Sequence, residues 1–272
     1  MTAAYGIAMP ASRGVLSPVC YCTPAINFFN RLATQPTAAR KVRYDALIKA
    51  LMSASVWAKL DILYVFAAAD QATALTNLVQ SSYGGAIHGS VTFSADRGVT
   101  SDGSTGYIDA GFTPSTAGGQ YALNSAAAGV WSLTAGAAAA NTARSFGVSD
   151  GTENLSLTVR NGSNTIASIV NAVPVTGFAN TLTDGLFAIS RTSPSGWDVS
   201  RNASSFGTIS QAAIGLPAMS LYLLALNSNG TLAGFDNKQL AIFFLGAGLS
   251  STDTTNLYNA LHAYLQAVAG VT

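Results

Sequence analysis

The last third of the sequence most constrains what the chain can fold into: short apolar runs separated by turn residues, then one amphipathic helix. Leu186–Arg191, Trp197–Arg201, Leu221–Leu226 and Gln239–Leu245 each read as strands, because β-branched, aromatic and leucine side chains fill short runs bounded by turn formers. Asn227-Ser228-Asn229-Gly230 and Gly234 supply the positive-φ positions that hairpin loops need. From Leu249-Ser250-Ser251-Thr252-Asp253 onward, Leu257, Leu261 and Leu265 recur at four-residue steps, which predicts a helix with one apolar face.

The middle of the chain repeats the strand signal. Val91-Thr92-Phe93, Tyr107-Ile108-Asp109, Val130–Thr134, Ser145–Val148, Leu155–Val159 and Thr165–Val170 are short apolar or alternating runs. Leu155-Ser156-Leu157-Thr158-Val159 sends apolar groups to one face and hydroxyls to the other. Thr100–Gly106 and Ser149-Asp150-Gly151-Thr152 read as turns. Many short strands with turn signals every ~8–12 residues favour a sandwich over a parallel sheet.

The beginning is different. Pro10, Pro18, Pro24 and Pro36 interrupt every apolar run, so residues 1–35 read as irregular. Pro36 is placed as an early helix residue after Thr34 or Gln35. Val42, Tyr44, Leu47, Ile48 and Leu51 then recur at helical spacing, with Arg40, Lys41, Arg43 and Lys49 mostly opposite as a solvated face. Val56–Leu60 reads as a helical turn and Asp61–Ala67 as a strand, after which Asp70 caps a short helix through Leu75 and Leu78.

Composition then bears on partners. Only 9% of residues are charged and the net charge is +1, against the ~25% charged usual for soluble domains. Such a surface has little repulsion, and part of it is expected to be covered by other copies or partners. Nucleic acid is excluded as a partner, since phosphate recognition needs clustered Lys and Arg. The start Met1–Gly6 has no basic, apolar leader pattern, and no apolar run reaches the ~18 residues of a membrane span, so membrane insertion is not expected. Cys20 and Cys22, one residue apart, read as free thiols, and with His88 and His262 remote there is no zinc spacing.

Two segments resemble a known family. Phe93–Asp109, with its Gly98-Val99-Thr100-Ser101-Asp102-Gly103-Ser104 stretch, is similar to a strand pair of concanavalin-A-like lectin/glucanase jelly rolls. Ala241–Ser250 followed by a helix to Leu265 is similar to that family's last strand and closing helix. The resemblance spans residues 60–270 and implies a two-sheet antiparallel β-sandwich. More narrowly, Arg31–Leu51, Trp57–Asp61 and Asp96–Phe112 resemble uncharacterised structural proteins of tailed bacteriophages and prophages. That resemblance implies a virion role, with other virion subunits as partners, and supplies no catalytic residues.

Chemistry is sparse. Glycan hydrolysis on such a fold needs two carboxyls about 5–5.5 or 6.5–9.5 Å apart. Yet no strand carries an alternating Asp/Glu pair; Asp198 stands alone and Glu153 lies in a turn. His88 in a Gly-flanked loop and His262 on the last helix have no Gly-x-Ser-x-Gly partner. Asp102-Gly103-Ser104 and Asp150-Gly151-Thr152-Glu153 contain calcium-type oxygens, but Asx turns explain each Asp-Gly. Trp131, Trp197, Tyr121 and Tyr107 are candidates for a sugar-stacking platform, with core packing the commoner fate of such aromatics.

The sequence therefore predicts a mainly β, concanavalin-A-like two-sheet jelly roll over 61–272, with a helical and irregular N-terminal arm over 1–60 and a C-terminal helix. The expected function is non-enzymatic: a structural or attachment protein of a phage virion, such as a decoration protein or tail fibre, that contacts host-surface glycan. The alternative is a stand-alone carbohydrate-binding or adhesin module and, after it, a glycan hydrolase. No catalytic residue, metal or cofactor is expected and no ligand residue is assigned. Residues 1–30 are expected to anchor assembly while the sandwich folds without them. The protein is expected to self-associate, and a clean monomer by light scattering at micromolar concentration would contradict this.

Overall fold

Three layers build the molecule. The computed structural model describes residues 20–136, 138–140, 142–175 and 177–271; the readings at Met1–Gly6, Pro10 and Pro18 lie outside them. One sheet has eight strands, ordered Ser204–Ile209, Gly196–Arg201, Gly185–Ser193, Ala126–Ser132, Gln239–Gly246, Gly98–Ser101, Val91–Ser94, with Leu60–Val65 also paired to Gln239–Gly246. The other has nine, ordered Phe178–Ala179, Thr165–Ala172, Asn154–Thr158, Phe146–Ser149, Tyr222–Leu223, Tyr107–Asp109, Ala86–His88, with Leu226–Ser228 and Thr231–Ala233 attached beside Phe146–Ser149. The pairing is antiparallel except where Leu226–Ser228 runs parallel to Phe146–Ser149. The expected two-sheet sandwich with a closing helix is the observed fold.

Alternation along the strands sorts side chains into two cores. Ile62, Tyr64, Val130, Phe187, Phe243 and Leu245 meet Ile108, Phe146, Leu155, Leu157, Ile166 and Leu223 between the sheets. Leu63, Val65, Trp131, Leu186, Ile242 and Phe244 point the other way, and helices cover them. Gly129 is required there, because a Cβ would stand 2.4 Å from a Phe244 ring carbon and equally close to the Phe187 carbonyl oxygen.

The covering layer comes from both ends of the described chain: α1 (Thr23–Arg31), α2 (Ala38–Ser53) and α4 (Ser251–Ala269), while the short α3 (Gln71–Ala74) puts Ala74 into the core between the sheets. Ser250 and Asp253 form a reciprocal capping box at the start of α4, and Gly270 closes its end in the left-handed region,. Lys59 ties that cap to the first strand through a 2.6 Å ion pair with Asp253. Asp70 caps α3 as expected, accepting the Thr73 N–H at 2.8 Å, although the helix stops at Ala74.

Several local readings change. The segment read as irregular carries α1, whose first turn tolerates Pro24 because its N–H would be unsatisfied there anyway,. Helix α2 is capped by Thr37, so Pro36 precedes the cap instead of opening the helix. The run Leu221–Leu226 is broken at Leu224, where φ is +62°, and becomes two short strands on either side. Gly98–Ser101, read partly as turn, is a strand, and the turn proper is confined to the residues after it.

Phe28 and Phe29 of α1 are buried against Tyr44 of α2, with ring centroids 5.2 and 6.4 Å from it. The aromatic groups at 28 and 29 thus belong to the chain's own second core, and a cut at residue 30 removes them. Phe29→Ala is expected to cost about 3–5 kcal/mol in urea unfolding. A loss well under 1 kcal/mol would show that α1 is peripheral.

Candidate functional site

Helices cover much of the outer side of the eight-stranded sheet, and on the nine-stranded sheet the outward positions Gly147, Ser156 and Ile169 are buried, so solvent reaches that sheet's outer face mainly at its Ala86–His88 edge. There three adjacent strands each present one ring. His88 pairs directly with Tyr107 across the ladder, and their rings stack at 4.8 Å with planes 12° apart. Tyr107 and Tyr222 follow at 4.5 Å and 39°. The row is accessible: His88 is exposed, and both tyrosines are half-buried.

Asp109 lies on the same face, since Ile108 between it and Tyr107 points into the core. It pairs with Tyr222 on one side and Ala86 on the other. Its Oδ1 accepts the Gly111 N–H at 2.8 Å and the Ser220 hydroxyl, which fixes the carboxylate beside the rings. Burial, then the nearby Asp109 charge and Tyr107, push the Tyr222 hydroxyl above its ordinary pKa. Beyond Tyr222 the next strand offers Gly147, where a Cβ would stand 2.8 Å from a Leu226 methyl. The arrangement is a stack of three rings that lean on one another, the last tilted by 39°, with one carboxylate at its side and polar ring atoms available for hydrogen bonding.

The other candidates are absorbed by the fold. Trp131, Trp197 and Tyr121 are buried, at 2%, 1% and 5% exposure. Trp197 donates to Ser168 at 3.0 Å, and Tyr121 to Asn171. Trp131 stacks under Tyr258 and His262 of α4, with planes 6° and 3° from its own. Among the four aromatics singled out from sequence, only Tyr107 lies in the open row. His88 is at the end of a strand, not in a loop. Its role and that of Tyr222 were missed: Tyr222 sits between two leucines, so only the register shows that it points outward.

The carboxylates outside this face serve turns and ladders. Asp102 Oδ1 accepts the N–H groups of Ser104, Thr105 and Gly106 at 3.0, 2.8 and 2.9 Å, and Oδ2 accepts both neighbouring hydroxyls. Asp150 accepts from Thr152, Glu153 and Ala218. A hydrogen bond to Asp150, and then burial, push the Glu153 carboxyl up. Asp198 accepts from Thr208, its cross-strand partner. Cys20 and Cys22 are free thiols. Among the described residues, no three His, Cys, Asp or Glu converge as a metal site, and no helix is long and apolar enough to cross a membrane.

No family model matches the chain. No curated protein matches it either. Solved structures do. Domain 4 of a GH43 extracellular arabinanase from Geobacillus stearothermophilus, solved in complex with arabinotriose, superposes with a TM-score of 0.50 at 16% identity over 74% of this chain and 98% of that one. A mutant sialidase from Trypanosoma rangeli that displays trans-sialidase activity gives 0.52 at 10% identity over 84% of this chain, which spans 40% of the sialidase. At these identities the likeness shows the sandwich fold alone.

The Asp102 turn generates a pH prediction. Backbone N–H groups, that of Thr105 foremost, hold its carboxyl far below the ordinary value of 3.8. Stability contributed by a lowered carboxyl is present above its unfolded pKa and lost as pH falls toward the folded one. Asp102→Ala is therefore expected to lower stability near neutrality and to flatten the fall in unfolding free energy between about pH 5 and pH 2. Wild-type and variant profiles that stay parallel over that range would contradict it.

Proposed function

We propose that this chain binds glycan without cleaving it, as an attachment or structural component of a phage virion. The observation that carries the binding part is the row His88–Tyr107–Tyr222 at the open edge of the nine-stranded sheet, with Asp109 fixed beside it. Rings fixed in one stack offer an apolar patch and polar ring atoms to the C–H groups and hydroxyls of a sugar, and a carboxylate at the edge accepts its hydroxyl protons. Structural neighbours with this fold include a domain solved with arabinotriose and a sialidase chain, which supports a carbohydrate ligand. The absence of cleavage is supported by the engagement of Asp102, Asp150 and Asp198 in turns and ladders, and by the solitary position of Asp109 in its row.

The virion part rests on the sequence resemblance of Arg31–Leu51, Trp57–Asp61 and Asp96–Phe112 to tailed-phage and prophage structural proteins. In that reading the partners are other virion subunits and copies of this chain. A stand-alone carbohydrate-binding or adhesin module is the second reading, favoured by a platform that one chain completes by itself. Co-purification with capsids or tails separates the two.

Tyr107→Ala is expected to weaken retention on a bound polysaccharide about tenfold, the effect of ~1.4 kcal/mol, with far-ultraviolet dichroism unchanged. Unaltered retention would remove the row as the site. Asp150→Asn, Glu153→Gln and Asp198→Asn are expected to leave sugar release at background, and cleavage abolished by one of them would overturn binding without catalysis.

A further inference from the structure

In the three segments that carry the row, His88 aside, the charged side chains are Asp102 and Asp109, both acidic. Asp109 is directly opposite Tyr222 in the ladder, a separation of about 5 Å between Cβ atoms. Asp150 and Glu153 follow the strand that pairs with Tyr222 on its other side. No Lys or Arg occurs in 83–90, 102–112 or 216–226, the segments that hold the three rings and their connections. The cation closest in sequence to the neighbouring strand is Arg144. Its stem packs over Gly147, 3.3 Å from where a Cβ would be, but its Nη1 is turned to the Thr142 and Ala143 carbonyls and the Thr158 hydroxyl at 3.0, 2.9 and 3.3 Å. Its Nη1 is thus engaged by two backbone carbonyls and the Thr158 hydroxyl, on the strand that flanks Phe146–Ser149 opposite Tyr222.

From this layout we infer that the face selects neutral saccharides and rejects acidic ones, with Asp109 as the discriminating group. The inference rests on the reading of the row as a glycan site. A neutral sugar seated against the solvent side of Tyr107 and Tyr222 gives hydroxyl protons to the Asp109 carboxylate. A sialic or uronic acid brings a second carboxylate to that position, with no arginine fork to receive it and a like charge at its side. The discrimination is electrostatic, so it weakens with salt.

The test uses full-length protein on an array that pairs the same oligosaccharides with and without a terminal sialic acid. Wild type is expected to favour the neutral member about three- to tenfold at low ionic strength, the size of one like-charge contact near a surface. The preference is expected to fall below about twofold at ~1 M salt, where the screening length is ~3 Å. Asp109→Asn keeps an acceptor for Gly111 and Ser220, and is expected to weaken neutral binding severalfold, because a charge-assisted hydrogen bond becomes a neutral one, while the neutral-to-sialylated ratio falls to about one. Sialylated members bound as well as neutral ones by wild type at low salt would overturn the inference and leave the glycan site standing. So would an Asp109→Asn protein that still discriminates. Binding to no glycan at all would remove the site and the inference together.

Discussion

Strand Gln239–Gly246 is the constraint on which the rest of the structure depends. It is buried on both faces nearly end to end. It pairs with Ala126–Ser132 along one side, and with Leu60–Val65 and Gly98–Ser101 along the other. Phe243 and Leu245 point into the space between the sheets, while Ile242 and Phe244 point outward. Two large apolar side chains on each face cannot be left in water, so both sides of this sheet must be covered. The second sheet covers one side and the helices from both ends of the described chain cover the other. The Ala86–His88 edge of the nine-stranded sheet stays outside both coverings and is open to a ligand.

That dependence explains what was legible in the sequence. The nearly unbroken run Gln239–Leu245 announces a strand covered on both faces, and the leucines of α4 announce the helix that covers it. The open edge was not legible, because it is defined by register: His88, Tyr107 and Tyr222 are far apart in the chain and meet only through ladder pairing. Tryptophans, the obvious sugar-binding candidates, were drawn into the cores by their size. Helix α1 was hidden by Pro24, which disrupts a helix interior but not its first turn. The break at Leu224 was invisible because leucine rarely adopts positive φ, and nothing in the Leu221–Leu226 run signals it.

The scarcity of charge takes on a structural meaning. Asp61 is buried and holds the Gln120 and Tyr121 N–H groups, both at 2.7 Å, which fixes the loop before Ala126–Ser132. Arg191, also buried, donates to the Val170, Ser193, Pro194 and Gln211 carbonyls and lies 5.1 Å from the Trp197 ring centroid. Asp236 and Lys238 are buried together, with Asp236 accepting from Ser145 at 2.7 Å. Several of the few charges thus act as internal fasteners for loops and strand ends. The outer surface is left more neutral than composition alone indicates, which suits contact with uncharged polyhydroxylated ligands or with other protein surfaces.

The central claim is that the aromatic row is the place where a ligand touches the protein. Chemical-shift mapping of ring protons during titration with a neutral oligosaccharide tests it most directly. The rings of His88, Tyr107 and Tyr222 are expected to shift together, with Trp131 and Trp197 unchanged in their cores. Shifts confined to the helical layer, or saturable binding that leaves all three rings unmoved, would contradict the claim.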